Sequence, residues 1–256
     1  MLMTNILRMK ISPARQESYT IDVDVKKVGC SRNAARDLEA TNAWLEEIRA
    51  GGYQIHPAAG ICFRSRYLIT NEDTIEVQGA QTSGEVEFVA AVHNGEIVIS
   101  VGSDHNDRSL GELWTPMLGK VHDTAKTKQM VPAVVAGEAW PYEDIKRHWD
   151  DIVLKSSVTA SGRRIPYQEY RLADLLDLEY YLGRCSWFEE NGSILLGGSG
   201  GLLPSVPENV YQGQSSLQGV IFPQDFHMEM VDPVLERTIT HSYTVFSLED
   251  PGSLSL

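Results

Sequence analysis

The Asn-Gly dipeptide at positions 94–95, flanked on both sides by apolar or alternating runs of strand length, constrains this chain more than any other feature. A two-residue type I′ turn needs positive φ at both central residues, and Asn followed by Gly supplies it. The stretch from Ser83 to Arg108, S-G-E-V-E-F-V-A-A-V-H-N-G-E-I-V-I-S-V-G-S-D-H-N-D-R, is therefore expected to fold as a two-stranded antiparallel hairpin. The turn fixes the register: His93 opposes Glu96, Val92 opposes Ile97, and counting outward brings Glu87 opposite Gly102 and Glu85 opposite Asp104. Period-2 alternation puts Glu85, Glu87 and Asp104 on one face. Val86, Phe88, Ala90, Val92, Ile97, Ile99 and Val101 fall on the other, which reads as core.

Directly paired Cβ atoms lie about 5 Å apart, so three carboxylates crowd one patch. Like charges in that arrangement destabilise a hairpin and call for a compensating cation or shared protons. A hard divalent ion, Mg2+ or Mn2+, is the simplest remedy, because both take oxygen ligands. The E-x-E pattern alone favours the solvated face of an edge strand. Asp104 at the derived register, followed by the polar run His105-Asn106-Asp107-Arg108, favours a metal site.

The 256 residues are enough to bury a sizeable core, and the composition, 42% apolar and 22% charged, is that of a globular protein. A formal net charge of −13 argues against a nucleic-acid backbone or an anionic membrane surface as partner, since both attract basic proteins. Cys30, Cys62 and Cys185 are odd in number, widely spaced and free of C-x-x-C spacing, which fits buried thiols in a reducing compartment better than a disulfide framework or a zinc site. Residues 1–12 do not read as a signal peptide and no apolar run reaches membrane-spanning length, so a cytoplasmic location is expected.

Strands are expected before Ser12, over Ser18–Val28, Ala59–Thr70 and Thr74–Gln78, with a helix from about Arg32 to Ala50 capped by Ser31. Beyond the hairpin, Ser109–Pro132 lacks periodicity and is long for a passive connection. Helices are expected over Ala139–Trp149 and Leu172–Leu182, and strands over Ile152–Thr159, Ser193–Leu196, Val220–Phe222, Phe226–Met230 and Arg237–Phe246. The glycine-rich run Gly197-Gly198-Ser199-Gly200-Gly201 has the composition of a flexible linker. Lying straight after an apolar strand, it can instead form a nest of backbone N–H groups for a carboxylate or enolate oxygen. Many strands, about three helices and no β-α-β alternation indicate an α+β, mostly β architecture.

These residues together resemble the fumarylacetoacetate hydrolase-like superfamily, in particular a branch known only as a domain of unknown function. The resemblance is carried by S-G-E-V-E-F at Ser83–Phe88, G-S-D-H-N-D-R at Gly102–Arg108, Lys128-Gln129 followed by Pro132, H-W-D-D-I-V-L at His148–Leu154, and D-P-V-L-E-R-T-I-T-H at Asp232–His241. It implies a mixed β-sheet roll with a few peripheral helices, an N-terminal β/α segment (residues 1–82) packed on a metal-binding catalytic domain (83–256), and a homodimer. By the resemblance Glu85, Glu87 and Asp104 hold Mg2+ or Mn2+, which chelates a small 2-oxo acid. Arg108 fixes a substrate oxygen, Lys128 neutralises developing enolate charge with Lys126 as its substitute, and Gln129, Gly198 and Ser199 line the substrate site.

One departure bears on the reaction. The superfamily's C–C hydrolases activate water with a His and a Glu in an N-terminal segment, but here Tyr53-Gln54-Ile55-His56 is followed by Ala59 three residues after the His. His105 then becomes the candidate general base, with His122 behind it, since an ordinary imidazole titrates near neutrality. The alternative for His105 is a purely hydrogen-bonding role. The expected activity is metal-dependent hydrolysis of a C–C bond in an acylpyruvate-type 2-oxo acid or β-diketone. Its alternatives are decarboxylation, dehydration or tautomerisation of an oxaloacetate-like acid, or a non-catalytic protein of the same fold.

Overall fold

The computed structural model describes residues 4–50, 60–108, 113–115, 119–121, 124–160, 162–200 and 222–248. Strands β1 (Asn5–Ile11), β2 (Tyr19–Val25) and β3 (Lys27–Arg32) precede helix α1 (Leu38–Ala50). Then β4 (Gly60–Arg64), β5 (Ile69–Thr70), β6 (Thr74–Val77) and β7 (Thr82–Ser83) lead to the central hairpin, β8 (Val86–His93) and β9 (Glu96–Ser103). Next come β10 (Asn106–Asp107), β11 (Leu113–Thr115), β12 (Gly119–Val121), α2 (Thr124–Gln129), β13 (Ala133–Val135), β14 (Glu138–Pro141) and α3 (Tyr142–Ile145). The last elements are β15 (Val153–Ala160), β16 (Arg163–Arg171), α4 (Leu178–Leu182), β17 (Ser193–Leu196), β18 (Asp225–Asp232) and β19 (Arg237–Ser247).

The hairpin has the derived register. Asn94 and Gly95 take φ values of +52° and +83°, His93 pairs with Glu96 and Glu87 with Gly102. The Asp104 N–H donates to the Glu85 carbonyl at 2.9 Å, which extends the ladder to the outer acidic pair. Around this hairpin grows a ten-stranded sheet in the order β2-β1-β14-β9-β8-β17-β3-β4, with β13 on β9 and β5 on β13. Strands from both sides of residue 82 thus alternate in one sheet. A five-stranded sheet, β16-β15-β18-β19-β6, faces it. Val86, Phe88, Ala90, Val92, Ile99 and Val101 pack in one core with Leu154, Met228, Met230, Ile239 and Tyr243 from that second sheet.

The acidic face of the hairpin departs from its reading as half-solvated. Val89, Ala91 and Val98 belong to a second core with Leu7, Met9, Val23, Cys30 and Leu196, so the hairpin is buried on both faces and Glu87 lies at the edge of apolar packing. Other boundaries move for local reasons. Ser31 sits inside β3 opposite Ile61, and α1 starts only at Leu38, where Asp37 Oδ1 accepts from the Ala40 N–H at 2.9 Å. The stretch expected as one helix over 139–149 opens instead with β14, which pairs with β9, before the single turn of α3 and a 3-10 turn. Leu172–Leu182 likewise divides into a 3-10 turn and α4, whose N-cap is Asp177 and whose end is Gly183. The two distant motifs H-W-D-D and D-P-V-L-E-R meet as a structural lock. Asp232, fully buried, accepts the Val234 and Leu235 N–H groups, stands 3.0 Å from His148 Nε2 and pairs with Arg237.

A candidate active site at the open end of the hairpin

The open end of β8–β9 carries the three acids the register brought together, but each has a different environment. Asp104 is fully buried, and its two oxygens are taken by different cations: Arg64 Nη2 donates to Oδ1 at 2.7 Å, and Lys128 Nζ, from α2, donates to Oδ2. Arg64 Nη2 also donates to the His105 carbonyl at 2.9 Å. Arg64 is the residue that sequence reasoning missed. The signal was present, because alternation in β4 puts Arg64 on the same side as Cys62, and a cation at a core position of a strand implies a buried acidic partner.

Glu85 is partly exposed, at 27%, and is bonded on both oxygens. Arg108 Nη2 donates to Oε1 at 2.6 Å, and the Ser199 hydroxyl donates to Oε2 at 2.9 Å. Burial alone would raise its pKa, yet the charges of Arg108 and Lys128 outweigh it and hold the carboxyl down at about 2. Arg108 is itself positioned by its Nε bond to Ser83 Oγ at 2.7 Å. Glu87, only 1% exposed, accepts the Gly198 N–H on Oε2 at 2.9 Å. Burial pushes its carboxyl up to about 8 and neighbouring Glu85 adds to the shift, against the opposing pull of Lys128 and Arg64.

The glycine-rich run is a carboxylate cradle, and the carboxylates it holds are the protein's own. Gly198 adopts φ +95°, which only glycine takes readily, and a Cβ there would stand 2.3 Å from that of Ala34. The second sheet braces the cradle. Gln168 donates to the Gly200 carbonyl at 3.0 Å while its Oε1 accepts the Val86 N–H at 2.9 Å, and the Tyr170 hydroxyl donates to the Val86 carbonyl.

The geometry bears on three of the expected roles. His105 is 1% exposed, with Nδ1 2.9 Å from the Tyr243 hydroxyl and Nε2 2.9 Å from Thr82 Oγ1. Burial, helped by the charges of Arg108 and Arg64, lowers its pKa to about 3. With both ring nitrogens occupied and the imidazole held neutral, His105 ties β19 to the hairpin and does not fit a proton-accepting role. Both ends of the Gln129 amide are held by backbone: its Oε1 accepts the Ser65 N–H at 3.1 Å and its Nε2 donates to the Phe63 carbonyl at 2.9 Å, so it fastens α2 to β4. Lys126 is exposed, whereas Lys128 is buried at the acids, which leaves Lys128 as the lysine of this cluster. His56 and His122 lie outside the described residues.

The cation demanded by the crowded acids is thus supplied by side chains: Arg64 and Lys128 on Asp104, Arg108 on Glu85. Among the described residues, no three His, Cys, Asp or Glu side chains converge as a ready-made metal-ligand group. Glu87 is the exception to the balance, because its carboxyl gains ionisation from any added cation. Two Glu and one Asp are the all-oxygen donors that Mg2+ and Mn2+ prefer. The set fits such an ion chemically, on the condition that Lys128 yields Asp104 Oδ2.

The protein-family model described as "Protein of unknown function (DUF2848)" matches residues 31–243. No curated protein matches the sequence. Among solved structures, the inhibitor complex of Cg1458 superposes with a TM-score of 0.56 at 12% identity, covering 94% of this chain and 88% of that one. A 2-keto-3-deoxyarabinonate dehydratase gives 0.53 at 16% identity, covering 92% and 79%. A 2-keto-3-deoxy-D-arabinonate dehydratase complexed with magnesium and 2,5-dioxopentanoate gives 0.50 at 15%, covering 90% and 77%. At such identities the likeness is one of fold, and that fold is the mostly β arrangement expected from the sequence.

Proposed function

The chain belongs to the DUF2848 family, and from that footing we propose that it is a divalent-metal-dependent enzyme acting on a small 2-oxo acid, with dehydration the favoured reaction. The observation that carries this reading is the cluster of linked charges at one end of the hairpin: Asp104 on Arg64 and Lys128, Glu85 on Arg108, and Glu87 buried beside them. Such a density of buried, opposed charge is costly to maintain for stability alone, since apolar replacements of buried ion pairs are often neutral or stabilising. Glu85, Glu87 and Asp104 would hold the ion, Mg2+ or Mn2+. When bound it supplies a Lewis acid for the adjacent carbonyl and carboxylate oxygens of the substrate.

The chain's own residues do the rest. Arg108 offers a planar guanidinium to a substrate carboxylate, a match of geometry as well as charge. Lys128 brings a buried ammonium that would stabilise negative charge on the substrate's carbonyl oxygen, and charge in a water-poor site is most effective there. Ser199 and the Gly198 N–H fix Glu85 and Glu87 so that neither carboxylate wanders. Dehydration is favoured over C–C hydrolysis because hydrolysis needs an activated water: the Glu expected near His56 is replaced by Ala59, and His105 is bound on both nitrogens. Two structural neighbours are dehydratases of a 2-keto-3-deoxy sugar acid, which agrees in substrate class.

The test is turnover of a panel of 2-keto-3-deoxy sugar acids, acylpyruvates and oxaloacetate with Mg2+ or Mn2+, alongside Glu87→Gln and Lys128→Met. Loss of water from a deoxy sugar acid, abolished by EDTA and by both variants, is the expected result. Cleavage of acylpyruvates alone would establish the hydrolase instead. No turnover, combined with no change in thermal stability at millimolar Mn2+, would leave a non-catalytic protein of this fold, because a ligand that binds only the native state raises stability.

A further inference from the structure

We propose that Cys30 and Cys62 form a redox-active dithiol, closed to a disulfide by a hydroperoxide, at the floor of the charged site. The two residues are direct partners in the antiparallel pair of β3 and β4. Directly opposed residues in such a pair have Cα atoms about 5.5 or 4.5 Å apart, depending on whether the pair is hydrogen-bonded. Both spacings lie inside the roughly 4.4–6.8 Å span of a disulfide, so the strand pairing is compatible with a bridge. Both side chains pack in the same core cluster, the Cys62 thiol donates to the Cys30 carbonyl at 3.5 Å, and both are free thiols. The third cysteine, Cys185, is not part of this strand pair and belongs to the other core.

The surroundings select Cys62 as the attacking sulfur. A hydrogen bond donated by the Cys30 thiol, together with the charges of Lys128, Arg32 and Arg64, holds the Cys62 thiol down at about 6 despite burial, while donating that bond and burial push Cys30 well up. Cys62 is 7% exposed and Cys30 fully buried, so a small oxidant meets Cys62 first. The Cys62 thiolate attacks one peroxide oxygen, the O–O bond breaks, and hydroxide leaves and takes a proton, giving a sulfenic acid. The Cys30 sulfur then attacks the Cys62 sulfur, the S–S bond forms, and the S–O bond breaks with loss of water. For hydrogen peroxide the sum is two thiols and one peroxide going to one disulfide and two waters, the two sulfurs supplying two electrons.

The consequence for the site is local. Arg64 lies two residues beyond Cys62 and holds Asp104, and among the described residues its buried Nε and Nη1 have no hydrogen-bond partner. Closing the bridge takes away an ionisable thiol whose charged form Lys128 and Arg64 favour, so oxidation alters the field on Asp104.

The experiment is brief exposure of the intact protein to hydrogen peroxide, followed by alkylation, thiol titration in denaturant and peptide mapping. Accessible thiols should fall from three to one, with a single linked pair of peptides containing Cys30 and Cys62, and dithiothreitol should restore all three. Cys185→Ser should fall from two thiols to none, whereas Cys62→Ser should keep Cys30 reduced under the same treatment. Three surviving thiols, a linkage through Cys185, or Cys62 over-oxidised beside a free Cys30 would each overturn the proposal. None of these readouts depends on the reaction proposed above.

Discussion

Replacing Arg64 by Met removes the charge from Asp104 while keeping most of the side-chain volume. The Arg64 side chain is fully buried and donates to Asp104 Oδ1 at 2.7 Å and to the His105 carbonyl at 2.9 Å. Its loss leaves a buried carboxylate short of one cation and a carbonyl short of a donor. Removing one partner of a buried ion pair costs about 3–5 kcal/mol, chiefly because the other charge is left uncompensated. For a chain of 256 residues, at about 2.1 cal/mol/K per residue of unfolding entropy, that lowers Tm by about 6–9 °C. The double variant Arg64→Met/Asp104→Asn removes the stranded charge as well and should recover a large part of the loss, leaving a coupling energy of at least about 2 kcal/mol in a double-mutant cycle. Urea denaturation at pH 7, read by fluorescence of the buried tryptophans, supplies the free energies. An Arg64→Met penalty under 1 kcal/mol, or strict additivity of the two changes, would refute the claim that Arg64 and Asp104 act as one unit.

Gly198→Ala should cost on the order of 1–3 kcal/mol, since its Cβ meets that of Ala34 at 2.3 Å and its φ is +95°; adding Ala34→Gly should restore only the steric part, as thermal melts will tell. His105→Gln should lose about 1–3 kcal/mol through the disturbed bonds to the Thr82 and Tyr243 hydroxyls, the latter keeping its partner Ser103. It should scale turnover equally at every pH, and the disappearance of an ionisation from the rate profile would return His105 to the role of base. Asp232 is held below the ordinary carboxylate range: burial opposes this, but the Leu235 N–H, His148 and Arg237 outweigh it. A depressed folded-state pKa stabilises above the unfolded value near 3.9 and ceases to do so as pH falls through the folded one. The stability gap between the wild type and Asp232→Asn should therefore be widest at neutral pH and close below about pH 4; a gap that widens on acidification contradicts this.

The hairpin was legible in the sequence because it is local. Asn94-Gly95 sets the turn, the turn sets the register, and the register carries Glu85, Glu87 and Asp104 to one end without reference to any other part of the chain. The alternation also gave one core face correctly, whereas the glycine-rich run, linker-like in composition, meets the protein's own carboxylates through one backbone N–H and one hydroxyl. What surrounds the hairpin was not legible, because the strands paired with it, β13, β14 and β17, come from tens to a hundred residues away. That enclosure buries the acidic face, drives the Glu87 carboxyl up, neutralises His105 between two hydroxyls and fills the cradle at Gly198 with the protein's own glutamate. Pattern and propensity fix which residues share a face. Only the packing of remote strands fixes which charges lose their water and must find one another, and Arg64 reaching Asp104 across 40 residues is the case in point.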